Sequence, residues 1–365
     1  MGIVATVKFE RRCASAAPRR SQKFQILPAR EAKGSTRWGD CAATGTAFRQ
    51  DPIQHYMENV ASPCHIRLVG QSIALHKAQM HADVTPPEIF DRRRRRSLRE
   101  RAHQRTGDMF LWNHIAQDLA ERLSAVTRVF EHALIIGPIA RWQAGILPPN
   151  VRYTLATLRE DGTGEDRVIV LDEDCLPFAQ GSFDLVISAG TLDSVNDLPG
   201  ALIQIRRILR PDGLFLGHMF GAGTLSTLKS IFLESDAERV AAHIHPQIDL
   251  RSAADLIVRA GFNLPVADQD NSAVRYGDWR AIISDIRDAG IGNALSGPRP
   301  FLGKDIAGRL DAIFEKRADE HGKVTECYAH VHLSGWAPSE NQPRPAKRGS
   351  AQVSLADVLS KDRKI

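Results

Sequence analysis

No run of eighteen apolar residues occurs in the 365-residue chain. The most apolar stretch, Ala133 to Leu147, is broken by Pro138 and Arg141, so no membrane span is expected. Cysteine is scarce and scattered: Cys13, Cys41, Cys64, Cys175 and Cys327 form no CxxC pair and no Cys/His group at zinc-ligand spacing. That pattern predicts isolated thiols of a reducing compartment and no metal centre. His243 and His245 stand beside Pro246, which reads as a loop without a nearby acidic or cysteine companion for a metal. The N-terminus lacks the continuous apolar segment of a secretory signal. A net charge of +5 is modest for a chain of this size, and no nucleic-acid partner is expected. The apolar fraction of 43% and charged fraction of 25% are those of an ordinary globular protein.

Residues 1–85 show no sustained helical or strand period, and mix Arg, Ser, Ala, Pro and Gly with isolated apolar residues. They read as a poorly ordered extension, either an Arg-rich targeting segment or residues preceding a true start at an internal methionine such as Met80. Residues 86–130 read as a helical N-terminal part of the core. Arg92 to Arg96 is an unbroken arginine run leading into Leu98, Arg99, Glu100 and Arg101, in a stretch of good helix propensity. Such a helix either clamps an acidic partner or phosphate, or presents a solvated face. Leu111, Ile115, Leu119, Leu123 and Val126 then recur at helical spacing within Phe110–Val129, one face of a helix packed on a sheet.

Residues 131–222 alternate strands and helices. Ala133–Ile136 ends at Gly137 as a buried parallel strand does. Tyr153–Leu158, Arg167–Leu171 and Phe183–Ser188 follow as strands, and Leu198–Leu209 as a helix. A turn signal at Arg210-Pro211-Asp212-Gly213 precedes a strand over Leu214–His218. Alternation of this kind predicts a parallel sheet covered on both faces, with ligands at the edge where the strands end. Residues 223–337 read as a mostly helical continuation, with helices over Asp249–Ala260 (closed by Gly261), Trp279–Ala289 and Phe301–Glu320, and a closing strand over Cys327–Leu333. Residues 338–365 read as a loose basic tail.

Asp172-Glu173-Asp174-Cys175-Leu176-Pro177-Phe178, followed by Gly181-Ser182-Phe183-Asp184-Leu185-Val186, resembles the third and fourth strands of class I S-adenosylmethionine (SAM)-dependent methyltransferases. Val195 to Leu202, continuing through Leu209 to Phe215, resembles the helix and turn that follow. Further matches at Ile89-Phe90-Asp91-Arg92, Arg259-Ala260-Gly261-Phe262, Leu333 to Pro338, Gln342, Pro345 and Gly349-Ser350 are similar to one branch of that family. This branch holds the methyltransferase-like assembly factor of respiratory complex I and its alphaproteobacterial relatives, and is related to the malonyl-carrier-protein O-methyltransferase of biotin synthesis. The resemblance implies an α/β Rossmann-like sheet with helices on both faces and SAM as cofactor. It assigns Gly137, Asp172, Glu173, Cys175, Ser188 and Leu192 to cofactor binding, with Asp172 near the adenine amino group. It implies a small-molecule, carrier-protein or protein methyl acceptor. The alternative is a weakly catalytic or non-catalytic platform for a complex I subunit, or the arginine hydroxylation of the mitochondrial members. A monomer in the cytoplasm is expected, or in the mitochondrial matrix if residues 1–85 address it there.

Three departures from the family pattern fall on one ligand edge. Gly137 is retained after the first strand, but the later glycines are replaced by Ile139 and Arg141, and the usual strand aspartate by Ile135. The second strand leads to Arg159-Glu160-Asp161, where Glu160 meets a ribose only if the strand runs beyond Leu158. Asp193-Ser194 stands where His-Trp is usual. Bulk at a close-approach glycine is expected to cost on the order of 2 kcal/mol, about thirtyfold in affinity. Restoring glycine at Ile139 and Arg141 is therefore expected to recover binding. No catalytic base is nominated, because methyl transfer rests mainly on positioning.

Overall fold

The computed structural model describes residues 88–105, 107, 109–157, 168–236 and 241–343, together with three short strands at Val7–Phe9, Arg67–Leu68 and Gln71–Ser72. The expectations for the remainder of residues 1–85, for Glu160 and for the tail beyond residue 343 lie outside the described residues. Seven strands make the body of the sheet: β1 His132–Ile136, β2 Arg152–Thr157, β3 Val168–Val170, β4 Phe183–Ala189, β5 Leu209–Phe220, β6 Asn263–Tyr276 and β7 Val324–Trp336. Their spatial order is β6-β7-β5-β4-β1-β2-β3. Val7–Phe9 extends the sheet beyond β6, and Arg67–Leu68 with Gln71–Ser72 extend it beyond β3.

β1 through β5 pair parallel, with Ile136 opposite Ala156 on β2 and Ser188 on β4. β7 runs antiparallel between β5 and β6. Strand alternation sorts the core onto two faces. Ala133, Ile135, Leu185 and Ile187 pack under α2 (Phe110–Ser124) and, farther along, α5 (Ser226–Ser235), α7 (Trp279–Ala289) and α8 (Lys304–Arg317). Leu134, Ile136, Val186 and Phe215 pack under α4 (Leu198–Ile208) and α6 (Leu250–Arg259). A short α3 covers Gln143–Ile146. Each fully buried Leu, Ile or Phe contributes roughly 1.5–3 kcal/mol relative to exposure. Helix entries follow side-chain caps: Asp197 accepts from the Gly200 amide, Asp249 from Ser252 and Asp278 from Arg280.

Some local expectations are corrected. The helix expected over Phe110–Val129 stops at Ser124. The turn expected at Arg210–Gly213 is absorbed into β5 as an irregularity opposite Phe183 and Leu185, with Asp212 at φ +63°. Residues 223–337 carry two long strands beside their helices, and β6 was missed by periodicity. Its first residues lie on an edge and are rich in Pro, Asp, Asn and Gln, which edge strands tolerate. His243 does have an acidic companion: its Nε2 lies 3.0 Å from an Asp236 carboxylate oxygen. Cys175 is disulfide-bonded, so the reading of isolated thiols fails there. Among the described residues no helix is long and apolar enough to cross a membrane, and no group of His, Cys, Asp and Glu is arranged to hold a metal ion.

Candidate cofactor site

Asp91 opens α1 (Arg92–Gln104) by accepting from the Arg94 amide. Arginines three and four apart then share one helical face. That face lies on Asp172-Glu173-Asp174, the turn that follows β3. Arg92 holds Asp174 through two bonds of 2.6 Å, and Arg96 Nη2 donates to Asp172 Oδ2 at 2.5 Å. Arg95 and Arg99 donate to the two oxygens of Glu173 at 2.7 and 2.6 Å. Arg99 also reaches the Gly190 carbonyl beyond the end of β4. Upstream, Phe90 and Asn196 exchange backbone-to-amide bonds of 2.8 and 3.0 Å and fix the start of the helix to the loop after β4. The acidic partner of the arginine run is therefore within the same chain, and the run is not a solvated face: Arg95 is 2% exposed.

Burial acts on Glu173 to raise its pKa, but Arg95 and Arg99 outweigh it and hold the carboxyl down to about 2. Arg99 is displaced downward, chiefly by burial, with Glu173 opposing. Asp172 Oδ1 is buried with no hydrogen-bond partner.

Between α1 and the ends of β1 and β2 lies a cavity of about 230 Å³. Gly137 and Thr157 mark the strand ends, Pro138, Ala140 and Arg141 the turn after β1, and Arg96, Arg99 and Glu100 the α1 side. Trp112 and Trp142, with ring centroids 6.3 Å apart, supply an aromatic wall. Their indole N–H groups are spent on the Ala289 carbonyl and the Asn113 side chain, so the rings offer apolar surface.

Of the residues assigned from sequence, Gly137 alone lines this cavity. Its φ of +97° and the proximity of Thr191 and the Ala189 carbonyl require glycine, so the position answers to the end of β4 rather than to a ligand. Asp172 and Glu173 lie beneath α1. Cys175 closes the acidic turn, its amide bonded to the Asp172 carbonyl. The Ser188 hydroxyl is buried against that of Thr191 at 3.1 Å, and Leu192 belongs to the core on the α4 side. Sequence reasoning missed Arg96, Arg99, Glu100, Trp112, Trp142 and Asp288. For the arginines a signal existed: their three-and-four spacing matches a run of three carboxylates.

The expectation for Ile139 is corrected. Its side chain is 0% exposed and belongs to the core under α2, and it does not line the cavity. Ile139→Gly is expected to leave ligand affinity within about twofold while costing at least about 2 kcal/mol of unfolding free energy, as emptied core positions do. Titration calorimetry and urea unfolding on the same sample read both.

Parallel strands ending at this cavity, helices on both faces and an antiparallel β7 inserted beside β5 define a Rossmann-like methyltransferase fold. Residues 150–217 match the family model described as a methyltransferase domain. The mitochondrial arginine-hydroxylase NDUFAF5 of Danio rerio is 33% identical over 286 residues, covering 74% of this chain and 89% of that protein. Its Homo sapiens counterpart is 32% identical, covering 74% and 83%. The malonyl-[acyl-carrier protein] O-methyltransferase of Laribacter hongkongensis is 31% identical over 183 residues, half of this chain and 60% of that protein. The chain belongs to the NDUFAF5 family.

Proposed function

We propose that the chain binds SAM in the strand-end cavity and uses it to modify an acceptor during assembly of respiratory complex I. The observation that carries this reading is the cavity itself: it sits where the first two parallel strands end, is walled by two indoles, and is bordered at the strand ends by Gly137 and Thr157. The residues fit the group. Trp112 and Trp142 would supply an apolar wall and exclude water, and Thr157 and Gly137 would border the ribose and methionine parts, while Asp172, held by Arg96 beneath α1, stays outside the lining. When bound, SAM supplies a methyl group on a sulfonium, whose transfer needs alignment more than a base.

The likeness to NDUFAF5 and to the malonyl-carrier-protein enzyme supports a protein or carrier-protein acceptor. The mitochondrial address in the names of the NDUFAF5 relatives favours the matrix. Arginine hydroxylation is the second reading, favoured by the name of relatives that the chain matches over most of their length.

Titration of the full chain with SAM and with S-adenosylhomocysteine is expected to give micromolar affinity. No heat at hundreds of micromolar would leave the fold as a binding platform. Mass spectrometry of complex I subunits incubated with the protein, SAM, dioxygen and a reductant then separates the chemistries, because methylation adds one methylene from SAM and hydroxylation one oxygen atom from dioxygen.

A further inference from the structure

The charges around the cavity are unequal in status. Arg96 is spent on Asp172, Arg99 on Glu173 and the Gly190 carbonyl, and Asp288 on Arg105. Glu100 on α1 and Arg141 on the turn after β1 also line the cavity, and neither makes a hydrogen bond or ion pair with another described residue. Two opposite charges therefore remain on a lining otherwise rich in Pro, Ala, Met and Trp. Both are solvent-exposed, so water satisfies them while no ligand is bound.

We propose that Glu100 and Arg141 form a zwitterion-recognising pair that selects ligands carrying a free α-amino acid group. The assignment rests on the reading of this cavity as the cofactor site. A planar guanidinium matches a carboxylate through two parallel N–H donors, and a carboxylate at Glu100 matches an ammonium. An α-amino acid presents both charges on adjacent bonds, whereas a simple anion or cation leaves one of the two protein charges without a counter-ion as ligand displaces water. Arg141 stands where the resemblance places a close-approach glycine. Recognition by backbone amides is thereby exchanged for recognition by a side chain, and Ile139, turned into the core, takes no part in it. The pair makes the amino-acid end of the cofactor the selective end.

The test compares S-adenosylhomocysteine, which has the amino acid group, with methylthioadenosine, which lacks it, by titration calorimetry on the full chain and on Arg141→Ala and Glu100→Gln. Both substituted side chains are exposed, so the fold is expected to survive, as circular dichroism will report. The wild-type chain is expected to bind S-adenosylhomocysteine at least about tenfold more tightly than methylthioadenosine. Arg141→Ala should weaken the first by about ten- to thirtyfold and the second by less than about twofold, and Glu100→Gln should act in the same sense with a smaller factor. Arg141→Lys should restore part of the loss. Wild-type binding of S-adenosylhomocysteine that neither substitution alters overturns the pair and leaves the cofactor reading standing. Equal weakening of both probes by Arg141→Ala makes Arg141 a structural residue and likewise overturns the pair. A wild-type chain that binds neither probe overturns the cofactor reading, and the pair with it.

Discussion

Glu173→Gln is expected to lower the unfolding free energy by about 3–5 kcal/mol, the usual result of leaving one half of a buried ion pair without its counter-charge. Glu173 is 3% exposed and is shared between Arg95 and Arg99. Gln preserves shape and most contacts, so the loss isolates charge rather than volume. Arg95 would then stay buried with a neutral partner, and its Nε already lacks a hydrogen bond. For a domain of this size the thermal midpoint is expected to fall on the order of 10 °C.

The pH dependence follows from the same pair. The folded pKa of Glu173 lies below the value of 4.5 for a free side chain, at about 2. Its stabilisation is therefore present above 4.5 and lost as pH falls toward 2. Asp311→Asn, which breaks the exposed contact with Arg280, serves as the comparison and is expected to leave the midpoint within error. In a double-mutant cycle, Arg95→Ala with Glu173→Ala should cost less than the sum of the single changes, because each removes the other's penalty. Strict additivity, or an unchanged midpoint in Glu173→Gln, would show that α1 is not held by this pair.

The central part of the fold was legible because its signals are local. Phe183–Ser188 is an apolar run bounded by turn residues, and a strand buried on both faces has that pattern. The helix at Leu198 carries its own cap in Asp197 and its own apolar spacing. β6 was not legible, because its stability comes from neighbours the sequence does not place beside it. Arg122 pairs with Asp268, His114 faces Asp270, and β7 supplies the full backbone ladder.

The site divides in the same way. Gly137 was found because a glycine after a buried strand is conspicuous, but the reason for it is tertiary, the approach of Thr191. The degenerate glycine turn was read as a damaged pocket, and its two replacements have opposite fates. Ile139 points into the core and Arg141 lines the cavity, a distinction set by the helical turn Pro138–Trp142 that residue types alone do not reveal. The arginine run and the acidic trio were each noticed, some eighty residues apart. Joining them required knowing that α1 lies across the end of β3.

Acidification from pH 6.5 to 5 is expected to destabilise the fold, because burial keeps three of the four imidazoles gathered at the interface of α2 with β5 and β7 from protonating in place. His218 Nε2 lies 3.0 Å from His330 Nδ1, and His330 Nε2 lies 3.1 Å from the Ser272 hydroxyl. His332 Nε2 lies 3.1 Å from Asp118. A bond between two imidazole nitrogens needs one donor and one lone pair, so the pair cannot form with both rings fully protonated. Burial holds His218 well below the usual histidine value and His330 down to about 3. It lowers His332 as well, with Asp118 opposing. His114 goes the other way, raised by its bond to Asp270. In the unfolded chain all four titrate near 6.5. Three of them therefore stabilise the fold above that value and lose their contribution as pH falls, while His114 contributes below it and loses its contribution as pH rises through its folded value. Unfolding should take up protons as pH falls through 6.5, each proton adding about 1.4 kcal/mol per pH unit to the slope. Urea unfolding at half-unit pH intervals measures that slope, and His330→Gln should reduce it by about one proton. The cluster reaches the cavity through packed rings, His218 on Phe220 and Phe220 on Trp112. The near-ultraviolet signal of the tryptophans should therefore collapse in the same acid transition. A stability profile flat between pH 5 and 6.5 would mean that these imidazoles are protonated in the folded chain, and that the packing around Trp112 is looser than the structure describes.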